Sequence, residues 1–301
     1  MNMEQHHHDH HHEITSLNKA FIIGITLNLA FVVAEFAAGF WYNSLGLLSD
    51  AGHNLGDVAS LVLAMLAFRL AKVHPTASYT YGYKKSTVLV SLLNAVILLV
   101  AVGIIIAESI TKLFHPRPVE GDAIAWVAGI GVVINAVTAW LFMKDKDKDL
   151  NVKGAYLHMA ADALVSVGVV ISGIVIAHTG WFIIDPVIGL IIALVIIYST
   201  WGLLRDSLRL SLDGVPAGTD IEKVEKAMHA VEGVQGVRHL HIWAISTTET
   251  ALTAHVSIND LSDMERIKQE IKHELQHVGI HHATLEFETS KIKGESLCWP
   301  D

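Results

Sequence analysis

The chain has 301 residues, 52% of them apolar and only 17% charged, with 19 His and a single Cys. That charged fraction lies well below the ~25% of a soluble globular protein, so the composition points to a membrane protein. The one Cys, Cys298, excludes an intrachain disulfide framework and any paired-cysteine metal or redox site; metal ligands here would be His and carboxylates.

Charge and histidine are unevenly spread. Residues 1–210 carry 13 Lys and Arg against 15 Asp and Glu, whereas residues 211–301 carry 8 against 15. The acidic C-terminal part argues against a nucleic-acid partner, whose phosphates require a basic patch. It suits a cationic ligand. Six His fall in residues 1–12, five in 13–210 and eight in 211–301. The first cluster, HHHDHHH over 6–12, carries an Asp in its middle, unlike a plain polyhistidine tag. Residues 1–17 read as a His-rich cytosolic tail.

Six apolar segments follow, at about 20–41, 45–70, 87–111, 122–143, 153–178 and 183–204. Each meets the ~20 residues a helix needs to cross a bilayer. Without water to satisfy backbone groups, such segments must be helical. The first is too long, and too polar upstream, for a cleaved signal peptide. Lys19, Arg69, Lys72, Lys84, Lys85, Lys144, Lys146, Lys148, Lys153, Arg205 and Arg209 fall on one side, and only Lys112 and Arg117 on the other. The positive-inside rule then predicts six spans over 18–210 with both termini cytosolic and no large extracellular domain.

From residue 211 onward the pattern is that of a small soluble domain, 211–301. Thr219-Asp-Ile-Glu222 and Ser262-Asp-Met-Glu265 read as capping boxes opening two helices. Residues 237–246, 250–258 and 283–288 read as strands. The order αββαβ predicts a small α+β domain of ferredoxin-like or metallochaperone-like kind, with both helices on one face of a three-stranded sheet.

Ionisable residues at bilayer depth are costly and usually functional. The second span contains His53-x-x-x-Asp57 and the fifth contains His158-x-x-x-Asp162. Residues i and i+4 share one helix face. Two such faces meeting present two imidazoles and two carboxylates, the four ligands of a tetrahedral Zn²⁺ site without sulfur. Asn28, Asn94 and Asn135 read instead as interhelical hydrogen-bonding residues. Glu35 and Glu108 are further candidates for the bundle interior, and Asp50, one turn outward of His53, reads either as a residue supporting the site or its access path or as a water-exposed helix-end residue.

Strand alternation sorts the C-terminal residues by face. Leu240, Ile242, Ala244, Leu252, Ala254, Val256, Ile258, Leu285 and Phe287 form the core face. His239, His241, Trp243, Thr253, His255, Ser257, Glu286 and Glu288 share the other. A merely solvated face would rather draw Lys, Thr and Glu than three His.

The stretches Ser49-Asp-Ala-Gly-His-Asn-Leu-Gly-Asp57, Leu157-His-Met-Ala-Ala-Asp162 and His239-Leu-His-Ile-Trp243 resemble the cation diffusion facilitator family, especially its bacterial zinc, cobalt and cadmium exporters. The resemblance covers residues ~15–290. It implies a homodimer in the bacterial inner membrane, in contact with lipid, that exports Zn²⁺ in exchange for protons by alternating access. Cd²⁺ and Co²⁺ are further cargo on this reading. It implies His53, Asp57, His158 and Asp162 as the transport site, exchanging metal for protons. It also implies His241, His255 and Glu288 as a cytosolic regulatory Zn²⁺ site, with His239 and Glu286 as subsidiary members. The loop over 71–86 departs from the family. Tyr79 stands where a His is frequent and Thr87 where an acidic residue is common, leaving His74 as that loop's one possible ligand. Metal ligands must be deprotonated, so binding releases protons, and His titrates near the working pH. A passive divalent-metal channel and a non-transporting membrane metal sensor are the competing readings. The chain lacks the H-E-x-x-H motif of a zinc hydrolase, and it reads as a secondary transporter rather than an enzyme.

Overall fold

The computed structural model describes residues 10–41, 45–114, 122–181 and 183–289. Six long helices come first: α1 (His10–Trp41), α2 (Leu45–Leu70), α3 (Ser86–Phe114), α4 (Asp122–Met143), α5 (Leu150–Thr179) and α6 (Ile184–Ser211). Lys19–Ala38, Ser86–Phe114 and Pro186–Ser211 are each long and apolar enough to cross a membrane. Val33, Phe40, Val100, Trp140, Leu194 and Tyr198 are among many large apolar side chains exposed on these helices. An apolar surface of that extent is untenable in water and natural in lipid.

The helices pack as a bundle in which α1 lies against α2 and α4, α4 against α5, and α3 against α6, while α5 touches α2, α3 and α6. Phe21 knots one end of it, with ring centroids 4.8 Å from Phe142 and 5.7 Å from Phe68. Leu61, Val152 and Met159 are buried around it. Asn28 binds α1 to α4 as expected, its Nδ2 donating to Thr138 Oγ1 at 3.1 Å. Gly24 makes that approach possible, since a Cβ there would meet Thr138 Cγ2 at 2.9 Å.

Two helices outrun their apolar segments. α1 begins at His10 rather than near residue 20, and α6 continues to Ser211 rather than ending near 204. Hydropathy marks where lipid begins, but the i→i−4 ladder has no reason to stop there. α6 ends where Leu212 closes back on Leu208 and Asp213 adopts a left-handed φ of 57°.

The C-terminal part contains α7 (Ile221–His229), β1 (Val234–Ala244), β2 (Thr250–Ile258), α8 (Met264–His277) and β3 (His282–Thr289), the αββαβ order expected. The sheet runs β1-β2-β3, antiparallel between the first two and parallel between the last two. Val224 and Met228 of α7 and Ile267, Ile271 and Leu275 of α8 bury against Val237, Ile242, Leu252, Ala254, Val256 and Ile258. Both helices therefore cover one sheet face.

The helix caps differ from the expectation. Asp220, not Thr219, accepts from the N–H groups of Glu222 and Lys223. Asp260, not Ser262, caps the short 3₁₀ turn Leu261–Asp263 that leads into α8. A nearby carboxylate can cap as well as a hydroxyl, and its charge is favoured at a helix N-terminus.

The β1–β2 turn docks onto the ends of α3 and α5. Thr247 donates its N–H to Thr87 Oγ1 at 3.1 Å and its hydroxyl to Asp149. Asn151 Nδ2 donates to the Thr87 carbonyl at 3.0 Å. Lys84 pairs with Glu249 at 2.6 Å. Lys85 pairs with Asp213 at 2.6 Å and donates to the carbonyls of Leu210 and Ala244. Beyond their positive-inside charge, the two lysines thus clamp the C-terminal part to the bundle.

Asp149 is buried and caps α5, its Oδ1 accepting from Asn151 N at 2.7 Å and Val152 N at 3.3 Å. Burial pushes its carboxyl above the usual range, against the hydrogen bonds that lower it. Folding therefore favours the protonated form, and Asp149's contribution to stability declines as pH rises through the raised value. Asp149→Ala should lower stability by about 1 kcal/mol through the lost cap. Asp149→Asn keeps the cap without the buried charge and should match or exceed wild type at neutral pH, the difference closing in acid. Thermal unfolding in detergent checks both.

Candidate metal centre

Asp57 projects from α2, and His158 and Asp162 from α5, into the interface of these helices. The His158 Nε2–H donates to Asp57 Oδ1 at 2.7 Å, and Asp162 Oδ2 lies 3.8 Å from the same nitrogen. One possible ligand atom from each residue lies within 4.8 Å of the others. Asp57 is 3% exposed and His158 6%, so water contributes little to their solvation. The i, i+4 spacing brings His158 and Asp162 to one face of α5, and α2 supplies Asp57 from across the gap. His53 stands on α2 one turn before Asp57. Its side chain, like those of Asp50 and of His6 to His12, and Cys298, lies outside the described residues.

A buried helix-to-helix bond sits beside this group. Asn54 Nδ2 donates to Glu35 Oε2 at 2.6 Å, tying α2 to α1. Glu35 faces the interior, as its place in an apolar segment predicts, and is held there by Asn54. Buried carboxylates without such partners are costly. Glu108 lines a different cavity, of about 150 Å³, with Ser109, Lys112, Gly168 and Gly189 between α3, α5 and α6.

A second cluster occupies the sheet face away from α7 and α8. His255 Nδ1–H donates to Glu288 Oε1 at 2.8 Å, and His255 Nε2 lies 3.5 Å from Glu286 Oε2. These three can offer ligand atoms within 4.8 Å of one another. His239 and His241 join His255, Thr253, Thr284 and Glu286 around a cavity of about 250 Å³. The His239 and His255 ring centroids are 4.8 Å apart. His74 is exposed and belongs to no group of three such residues among the described residues.

A β-bulge shapes this face. Arg238 pairs with His255 and His241 with Thr253, so two residues of β1 oppose Ala254 alone. His239 takes a φ of 49°, a left-handed conformation that His tolerates better than most residues. Strict alternation would send Arg238 to the core. The extra residue turns it to the His face instead, where its guanidinium pairs with Glu288. Hydrogen bonding to His255, together with that guanidinium, holds the Glu288 carboxyl below its usual range.

Six long helices followed by a small α+β domain, with a buried Asp57–His158–Asp162 group between two of the helices, define a helical membrane protein with a C-terminal α+β domain. The cation efflux transmembrane domain model matches residues 21–210, and the cation efflux protein cytoplasmic domain model matches residues 216–290. The chain is 34% identical to the "Cadmium, cobalt and zinc/H(+)-K(+) antiporter" of Bacillus subtilis (strain 168), over 97% of this chain and 96% of that protein. It is 34% identical to "Zinc transporter ZitB" of Escherichia coli (strain K12), over 91% and 88%. It is 36% identical to "Cation efflux system protein CzcD" of Alcaligenes sp. (strain CT14), over 88% and 85%. The chain belongs to the cation efflux family of membrane transporters.

Glu288 gives a pH signature. Its depressed carboxyl contributes stability that is present above the ordinary Glu value of ~4.3 and lost as pH falls through its lower folded value. Glu288→Gln should therefore cost on the order of 1 kcal/mol at pH 7. The gap between wild type and variant should shrink in unfolding curves taken at successively lower pH below that range.

Proposed function

We propose that this chain is an inner-membrane exporter that exchanges cytosolic Zn²⁺, and also Cd²⁺ and Co²⁺, for external protons through His53, Asp57, His158 and Asp162. The observation that carries this reading is the buried group of Asp57, His158 and Asp162 between α2 and α5. In this reading all six helices span the bilayer over 18–210, both termini are cytosolic, and 211–301 forms a cytosolic domain in a homodimer. The names of the Bacillus and Escherichia relatives support the cargo and the proton coupling, and the cytoplasmic-domain match supports the domain's location.

The chemistry follows from the ligands. Imidazole suits Zn²⁺ and its neighbours, whereas all-oxygen sites suit Mg²⁺, Ca²⁺ and Mn²⁺. In the inward-open state the metal displaces protons from the four ligands. In the outward-open state incoming protons take the same lone pairs and release it. A tenfold Zn²⁺ gradient costs ~1.4 kcal/mol. At 100 mV the outgoing dication costs ~4.6 kcal/mol more, and each incoming proton returns ~2.3. Two protons make the exchange electrically silent and leave ~1.4 kcal/mol for a pH difference to supply; with one proton the pH difference must supply ~3.7 kcal/mol.

The cytosolic cavity bounded by His239, His241, His255 and Glu286 holds a regulatory Zn²⁺ on this reading. Metal at His255 Nε2 leaves Nδ1–H on Glu288, which then orients the ring, so Glu288 serves from behind the ligands unless the Arg238 pair opens. Occupancy stiffens β1 and β2, whose connecting turn rests on Thr87 and on Asp149 at the foot of α5. The signal thus reaches the helix that carries His158 and Asp162. The tail at 1–17 gathers metal near the entrance.

Purified protein in liposomes, with dyes for Zn²⁺ and for pH, should show metal and proton fluxes in opposite directions that vanish together in Asp57→Ala or Asp162→Ala. Zinc flux that ignores an imposed pH gradient would indicate a channel. Binding without flux would indicate a sensor. At the cytosolic cavity, Glu288→Ala should weaken zinc by about 10–100-fold, as expected of a residue that orients a ligand. Zinc titration on wild type and variant measures it.

A further inference from the structure

α8 carries another histidine pair, on the opposite side of the sheet from the cavity. Ile267, Ile271 and Leu275 bury one stripe of the helix against the core face. His273 and His277 lie on the exposed stripe, one turn apart. Their Nε2 atoms are 3.2 Å apart, and their rings meet edge to face with centroids 4.6 Å apart. Two nitrogens bound to one tetrahedral zinc at ~2.0–2.1 Å stand about 3.3 Å from each other. The pair already has the bite of a chelate, and a regular helix holds both residues at that spacing. With no metal, one ring's N–H donates to the bare nitrogen of the other. A cation placed between them replaces that single proton.

We propose that His273 and His277 form a two-imidazole site for a divalent transition-metal cation, with water completing the coordination shell. Imidazole selects Zn²⁺, Co²⁺, Ni²⁺ and Cu²⁺ over Mg²⁺, Ca²⁺ and Mn²⁺, and Cu²⁺ binds more tightly than Zn²⁺. The nearby carboxylate of Glu270 is engaged by Arg266 at 3.0 and 3.1 Å, so the two rings carry the binding. A site with two protein ligands and an open shell exchanges its metal readily. It sits on the outer surface of α8, with the buried layer between it and the sheet-face cavity. Its existence is independent of transport and of any metal in that cavity.

The test is diethyl pyrocarbonate footprinting of the full chain in detergent, with modification at each His read by peptide mass spectrometry. Zn²⁺ should remove most of the modification at His273 and His277 together, and Cu²⁺ should do so at lower concentration. In His273→Gln the protection of His277 should be lost, and in His277→Gln that of His273, because one ring alone cannot chelate. Both changes are on an exposed helix face, and melting curves matching wild type confirm that the fold is kept. Protection that survives in either single variant overturns the chelate. So does a wild type in which neither metal protects either ring.

Discussion

Everything in the bundle is arranged around the cost of keeping carboxylates and an imidazole out of water. Asp57 and His158 are almost wholly buried, and their mutual hydrogen bond at 2.7 Å, with Asp162 close by, offsets part of that cost. On the proposed reading such a group folds on its own and would be further stabilised by a bound dication, which replaces lost hydration with direct ligand bonds. That imbalance is useful to a transporter. A site satisfied by protein bonds alone would have no use for metal, and one built from thiolates would hold metal against protons. Nitrogen and oxygen ligands sit between these extremes, and the single Cys of the chain lies far from them in sequence.

The neighbouring contacts serve the same end. Asn54 and Glu35 tie α2 to α1 one turn from Asp57, and the phenylalanine knot around Phe21 fixes one end of the bundle. α5 then stands in contact with α2 on one side and with α3 and α6 on the other. Its first turn is capped by Asp149, which also receives the Thr247 hydroxyl from the β1–β2 turn. One helix therefore carries two of the buried polar groups and bears the footing of the C-terminal sheet. Any change in that sheet has a short mechanical route to the bundle interior.

Much of this was legible in the sequence, for identifiable reasons. The i, i+4 repeat of His and Asp in two apolar segments specifies a shared face without any tertiary knowledge, and Asp57, His158 and Asp162 do converge. Amphipathic alternation likewise placed His255, Glu286 and Glu288 together. What escaped were features decided by tertiary contact. The bulge at His239 depends on how β1 registers with β2, and it brought Arg238 to a face where a period of two forbids it. The Thr247 footing joins residues about 100 and 160 positions apart in sequence. The caps at Asp220 and Asp260 depend on which of several adjacent oxygens the chain direction favours. Lys84 and Lys85 obeyed the positive-inside pattern, yet their contacts with Glu249 and Asp213 belong to the domain junction.

On the proposed reading, four side chains on α2 and α5 hold one metal ion in a tetrahedral shell of nitrogen and oxygen. Co²⁺ tests it most directly, because its visible absorption is strong in tetrahedral and weak in octahedral surroundings. Full-length protein should bind one more Co²⁺ per chain than an Asp57→Ala, Asp162→Ala double variant. The difference spectrum should carry the intense bands of a four-coordinate ion without thiolate charge transfer. Equal stoichiometry in the two proteins, or a difference spectrum of octahedral weakness, would contradict it.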